Sequence, residues 1–367
     1  MIILFFCFSC KDPEKTIPSL YTIPVNIKEA ISADFNKFFD TESLEKVRLD
    51  PYVLLDEIDK FSLNDDFIFV SDNDKLVAFQ HDGTFAWQID RKGKGPEEYT
   101  SIRDFRVSAT NEIYIFSGEK ILHFDANQVF QQSYTIPVSG MSFYHVHGTD
   151  QFLIYNGLNN TSNSINSRLL LLAASKVIEQ YQQIPETELS WRYIFDIENF
   201  YAFERLIYFY QSVNDTIYLF NQLAHQLEPA IHIDFGENRM PAAFLTQQHR
   251  DVGEFFDRAN KKDYIFNIWC FLQNKYHALF NFLKEEDIYQ VIHHRSKKET
   301  HVISEWGNFL GQEVTLPMSF ATIPEVFYDD YICFLIESYH LPELDLQEGV
   351  YVVKVKLQNW HLEKIQV

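Results

Sequence analysis

The chain has 367 residues, 46% of them hydrophobic and 16% aromatic, with 34 Phe and 20 Tyr, so it holds too much core-forming material to be disordered. Lys and Arg number 31 against 52 Asp and Glu, a formal charge of -21, which repels a phosphate backbone and argues against a nucleic-acid partner. Past residue 10 the longest apolar run, Leu169 to Ala174, lies between Arg168 and Lys176, far short of the ~20 residues that span a bilayer.

The first ten residues, MIILFFCFSC, form an apolar stretch ending in Ser9-Cys10, followed by polar Lys11, Asp12 and Pro13. This pattern resembles a bacterial lipobox, in which Cys10 becomes the lipidated first residue and Cys7 is discarded. The stretch has no positive n-region and a short apolar core, as a signal peptide truncated at its start would. The expected organisation is a signal peptide over 1–10, a tether over 11–43 and one domain over 44–367. Of the other cysteines, Cys270 and Cys333 each sit in an apolar segment. They read as small buried hydrophobes, and whether they pair is left open.

Aromatic and β-branched residues favour strands, and short apolar cores recur along the chain: FIFVS from Phe67, IYIFS from Ile113, FLIYN from Phe152, LIYFY from Leu206, ALFNF from Ala278 and YICFL from Tyr331. Their centres, Phe69, Ile115, Ile154, Tyr208, Phe280 and Cys333, are spaced 46, 39, 54, 72 and 53 residues apart. Propeller blades repeat at about 40 to 50 residues. The spacing therefore predicts an all-β, six-bladed β-propeller.

Blade 1 reads as four strands, Ile58 to Leu63, Phe67 to Ser71, Leu76 to Phe79 and Thr84 to Ile89, separated by polar turns including His81-Asp82-Gly83. Blade 2 repeats this as Ile102 to Val107, Glu112 to Phe116, Ile121 to Phe124 and Val129 to Ile136. Blade 3 runs from Met141 to about Ile184. In the 72-residue gap, Ala242, Leu245, Val252, Phe255, Phe256 and Ala259 recur at helical intervals, predicting a short helical insertion near residues 241–262 that packs on the propeller. Open edges expose unpaired backbone groups, so the segment around Val47 is expected to close the ring against the alternating C-terminal strand around Val353.

These features resemble the six-bladed propeller lipoproteins of the Bacteroidetes, related in architecture to NHL-repeat proteins. The resemblance is sharpest at Gly93-Lys94-Gly95-Pro96-Glu97-Glu98-Tyr99, a Gly-x-Gly-Pro-x-Glu-aromatic loop between the first two blades. Asn214-Asp215-Thr216-Ile217-Tyr218 and Ile233-Asp234-Phe235-Gly236 are similar to the family's fourth-blade hairpin and the loop leaving it. The fifth and sixth blades depart from the pattern, and their boundaries after about residue 240 stay open. The resemblance implies a propeller and a cell-envelope address, anchored by lipid and facing the periplasm or the cell surface. It implies no reaction.

Gly93, Gly95 and Pro96 make the loop a rigid structural corner, with Glu98 capping neighbouring N–H groups. Arg91, Lys94, Glu97 and Tyr99 form the candidate binding surface. The Gly-x-Gly lacks the third glycine and the helix of a nucleotide cradle, and Asp234-Phe235-Gly236 reads as a strand ending in a turn. His145 and His147 alternate to one side of a strand without an evident third ligand, and His293-His294 lies among Arg295, Lys297 and Lys298. No catalytic residue, cofactor or metal is assigned. The expected protein is a monomeric envelope propeller that binds an unknown protein or a small-molecule or glycan ligand. The alternatives are a propeller hydrolase or lyase with a channel-mouth site, possibly cation-dependent, and a structural component of an envelope complex.

Overall fold

The computed structural model describes residues 20–157, 165–184 and 198–358. The N-terminal part contributes β1 (Tyr21–Pro24), β2 (Ile31–Asp34) and β3 (Phe39–Arg48). Four-stranded sheets follow: β4 (Lys60–Leu63), β5 (Ile68–Ser71), β6 (Leu76–Phe79) and β7 (Phe85–Ile89); β8 (Asp104–Val107), β9 (Ile113–Phe116), β10 (Lys120–Phe124) and β11 (Phe130–Thr135); then β12 (Ser142–Val146), β13 (Gln151–Tyr155), β14 (Ser167–Ala173) and β15 (Lys176–Gln183). Blade 4 is β16 (Phe200–Phe203), β17 (Leu206–Phe209), β18 (Thr216–Asn221) and β19 (Gln226–Asp234). Blade 5 is β20 (Phe266–Gln273), β21 (His277–Lys284), β22 (Asp287–His294) and β23 (Glu299–Gly307), with the short β24 (Thr315–Pro317) beside it. β25 (Val326–Tyr328), β26 (Tyr331–Glu337) and β27 (Val350–Leu357) make blade 6 and take β3 as its fourth strand.

The result is the expected six-bladed ring, and each apolar core found in the sequence is the second strand of its blade. The centres of those strands are apolar, apart from the buried Asn281 of β21, because both faces of a blade are buried. In β9, Tyr114 and Phe116 pack with Phe143, Phe152 and Ile154 of blade 3, whereas Ile113 and Ile115 pack with Phe69 and Leu76 of blade 1. The period of two thus sends alternate side chains to opposite neighbours. The run Leu169 to Leu172 divides the same way: Leu170 and Leu172 face blade 2, and Leu169 and Leu171 face blade 4.

The last seam buries Phe61, Ile68, Val70, Val77 and Phe79 of blade 1 against Cys333 and Val352 of blade 6. The ring closes as the termini predicted, with β3 antiparallel to β27 and Val47 opposite Val352, one residue from the expected partner. Both Cys270 and Cys333 are free thiols.

Two expectations change. The tether assigned to 11–43 ends by residue 20, because β1 pairs in parallel with β19 and β2 with β23, adding an outer strand to blades 4 and 5. Four-residue strands whose partners lie more than 200 positions away carry too little periodicity to be read locally. Phe35, Phe38 and Phe39 then pack around the fully buried Trp306, with ring centroids 5.4, 5.7 and 5.4 Å away, fixing this strap to blades 5 and 6.

The insertion also differs in detail. It is two helices, α1 (Ala242–Leu245) and α2 (Val252–Asn260), broken before Asp251, whose side chain accepts from Glu254 N and caps α2. Phe244, Phe255 and Ala259 bury against Ile184 and Tyr264, so the insertion does pack onto the propeller. No helix among the described residues is long and apolar enough to cross a membrane. Cys10 lies outside the described residues.

Candidate functional site: the central channel

The first strands of the blades, β4, β8, β12, β16, β20 and β25, face the axis of the ring. They enclose a cavity of about 320 Å³ to which all six blades contribute. Aromatic side chains of Phe105, Tyr144, Phe200, Tyr201, Tyr210 and Phe327 form much of its wall.

Charged residues from four blades meet in this cavity. Lys60 Nζ, at the start of β4, lies 2.7 Å from Asp104 Oδ1 and 3.1 Å from Glu198 Oε1. Arg106 Nη1 reaches the same Glu198 oxygen at 3.0 Å, and its Nη2 is 3.7 Å from Asp104 Oδ2. Asp104 also accepts from the backbone N–H of Phe143 at 3.0 Å, tying blade 2 to blade 3. The Arg106 guanidinium stands 5.3 Å from the ring centre of Tyr144 and donates to the Phe143 carbonyl at 3.2 Å. Burial works against the Glu198 carboxylate, yet Lys60 and Arg106 hold its pKa below the ordinary value.

Glu325, just ahead of β25, lacks such a cation. Burial and the nearby Glu198 charge push its pKa to about 8, with Lys60 opposing, so at neutral pH it holds a proton and can donate a hydrogen bond. Burial likewise raises the Cys270 thiol well above its usual range, which keeps it unreactive. The site therefore combines a neutralised ion cluster, a protonated acid and aromatic walls.

None of Lys60, Asp104, Arg106, Glu198 or Glu325 was singled out in the sequence. A signal existed: Lys60-Phe61, Asp104-Phe105, Ser142-Phe143 and Asn199-Phe200 each place a polar residue before Phe at the start of a first strand. Only superposing the blades reveals that these residues share one level of the channel.

The predicted corner lies elsewhere, at the junction of blades 1 and 2. Glu98 caps it as expected: Gly95 N–H donates to Glu98 Oε2 at 2.7 Å. A Cβ on Gly93 would stand 2.0 Å from that oxygen and would displace the capping carboxylate. Lys120 Nζ from blade 2 donates to the Gly95 carbonyl at 3.0 Å. Tyr99, expected on a binding surface, is fully buried in the seam between the two blades, and its hydroxyl donates to the Ile89 carbonyl at 2.9 Å. Arg91 pairs with Glu97 at 2.9 Å and stacks over Phe124. Lys94 is exposed. The corner is thus a brace with a charged outer surface, from which Tyr99 is removed.

His145 lines the channel with His147, but its ring stacks on Tyr114 at 4.2 Å and its Nε2 meets the Thr149 carbonyl at 2.7 Å. His293 is buried and bonds the Tyr21 hydroxyl at 2.6 Å and Thr300 Oγ1 at 2.8 Å, so it pins β1. Asp234 ends β19, and its side chain accepts from Gly236 N–H in a turn, as read from the sequence.

A six-bladed, Velcro-closed propeller with an aromatic and charged axial cavity is the class that fold and site define. The chain belongs to the family described as Domain of unknown function (DUF4934), whose model matches residues 21–366. No curated protein matches it. Among solved structures it is similar to a protein of Bacteroides fragilis described as exported, at 15% identity over 92% of this chain and 99% of that one, with a TM-score of 0.69. Weaker likenesses include the Neurospora crassa Pan2 WD40 domain, at 6% identity, coverage of 81% and 88% and a TM-score of 0.43. The extracellular domain of a hybrid two-component system of B. thetaiotaomicron follows at 9% identity, coverage of 85% and 42% and a TM-score of 0.42. These likenesses concern the fold.

Proposed function

We infer that the protein is a cell-envelope binding propeller that takes a small molecule or a protein segment into its central channel. The observation that carries this is the cavity itself: six blades enclose it, aromatic rings wall it, and Asp104 and Glu198 are committed to cations the chain supplies. Pre-formed cavities with a few convergent polar groups are where ligands bind. The exported description of the B. fragilis protein and the lipobox-like MIILFFCFSC support an envelope address with Cys10 as the lipid anchor. The exposed charges of Arg91, Lys94 and Glu97 are a secondary candidate surface.

The test uses fractionated small molecules and glycans from the envelope, read out as a rise in melting temperature of the purified domain. A ligand of the native state stabilises it by RT ln(1 + [L]/Kd). Stabilisation of the wild type that disappears in Tyr144→Ala, and survives in Arg91→Ala/Lys94→Ala, supports the channel. Equal stabilisation of wild type and Tyr144→Ala by every active fraction sinks it. For the anchor, Cys10→Ala should leave the membrane fraction, since bacterial lipoproteins hold by more than one acyl chain; retention there rejects lipidation.

One observation favours a second reading, a hydrolase or lyase. Glu325 in the channel holds its proton to about pH 8, the property that a general acid requires. Turnover of an ester, lactone or glycan that Glu325→Gln abolishes would decide for it.

A further inference from the structure

A second cavity, of about 290 Å³, lies off the axis between blades 3, 4 and 5, where α1 forms part of its wall. Five primary amides line it, Gln182 and Gln183 from β15, Gln211 and Asn214 from the loop between β17 and β18, and Asn267 from β20, together with Ser212 and the charged Arg168, Asp215 and Arg239. Apolar Met240, Leu245 and Ile268 complete it.

Two of these amides keep an unpaired carbonyl. Gln211 and Asn267 are only 3% and 6% exposed, and among the described residues Gln211 Oε1 and Asn267 Oδ1 have no hydrogen-bond partner. A buried carbonyl left unpaired is destabilising, so native proteins keep few of them. Asn267 is moreover aimed by a distortion. The register of β20 against β21 skips it between Phe266 and Ile268, and its φ is 71°. Bulges of this kind re-aim a side chain and gather beside sites. Gln182 and Val213, also lining the cavity, have φ of 55° and 60°, so three non-glycine residues hold left-handed backbone around one space. Such strain persists where its surroundings enforce it and is concentrated at ligand sites.

The chemistry of the occupant follows. Two unpaired acceptors call for donors, and the accompanying amide N–H groups call for acceptors, which is the pattern a pair of hydroxyls satisfies. A charged ligand gains little, because the three charged residues of the lining are already engaged: Asp215 is paired with Arg239 and lies 3.7 Å from His232, and Arg168 interacts within the chain. The volume is at the small end of ligand pockets, ~300 Å³ upward. We propose that this cavity is a binding site for a neutral polyhydroxylated ligand, one sugar ring at the end of a glycan. It is separate from the axial channel and does not depend on the reading given to that channel.

Saturation-transfer NMR on the purified chain, with a panel of methyl glycosides of neutral hexoses and N-acetylhexosamines, tests it. At least one glycoside should bind the wild type, and Gln211→Leu and Gln182→Ala should each weaken it at least ~tenfold. Gln211→Leu should also melt no lower than the parent, because the change removes an unpaired buried acceptor and keeps the volume. The proposal is overturned if no glycoside of the panel binds the wild type, if both amide variants bind unchanged, or if Gln211→Leu melts several degrees lower, which would assign the amide to the fold.

Discussion

Glu325 favours its protonated form at neutral pH because its half-buried carboxyl lies in the channel close to Glu198. Its pKa rises from the ordinary 4.5 to about 8 on folding, so the native state binds this proton more tightly than the unfolded chain. That contribution is complete below pH 4.5 and disappears as pH rises through 8, with a slope of at most about 1.4 kcal/mol per pH unit. Urea midpoints at pH 5, 7 and 9 should fall on the alkaline side for the wild type and less steeply for Glu325→Gln; parallel profiles would refute this. His293 behaves in the opposite sense. Burial, then the charges of Arg295 and His294, depress its pKa from 6.5 to about 4, so its contribution is present above pH 6.5 and lost as pH falls towards 4. His293→Gln should flatten the acid limb, and an unchanged acid limb would count against it. Neither role is legible locally. Glu98 could be read as a cap because its target, Gly95, is three residues away, whereas Lys60, Asp104, Glu198 and Glu325 come together only through the closure of the ring.

Among the elements, those with the clearest signal were the ones buried on both faces. β5, β9 and β13 were legible within a residue or two because uninterrupted apolar runs flanked by polar turns leave few alternatives. β1 and β2 were not, since each is four residues long and owes its existence to an edge in another part of the chain. The turn at His81-Asp82-Gly83 was visible in sequence, but its second duty was not. Gly83 has a φ of 89°, and a Cβ there would stand 2.1 Å from the Arg48 carbonyl oxygen at the end of β3. Gly83→Ala should therefore destabilise by about 2 kcal/mol or more, from the strained φ and the clash with backbone together. A melting temperature within a degree of the parent would show that the closing strand tolerates displacement.

For the molecule as a whole, the N-terminal segment acts as a strap. It covers the outer edges of blades 4 and 5 before supplying the closing strand of blade 6. Removing residues 1–34 should leave β3 and the ring in place while uncovering β19 and β23, and exposed edges recruit other chains. The expected outcome is a lower melting temperature with concentration-dependent self-association in light scattering. A monodisperse, equally stable truncated protein would mean that the strap is ornament.

The parallel pairing of β1 with β19 also decides how the molecule bears load. The strap enters the disc at the rim of blade 4, so any tension applied ahead of Tyr21 would meet the rim rather than the axis. A pull along β1 loads its backbone bonds side by side, in shear, where they resist together instead of parting one after another. Behind them stands the Tyr21 hydroxyl on His293, a fastening between two blades. In a chain held upstream, the strap would act as a strain relief, like the grip on a cable, placing the load at the rim of blade 4 and away from the Velcro seam of blade 6.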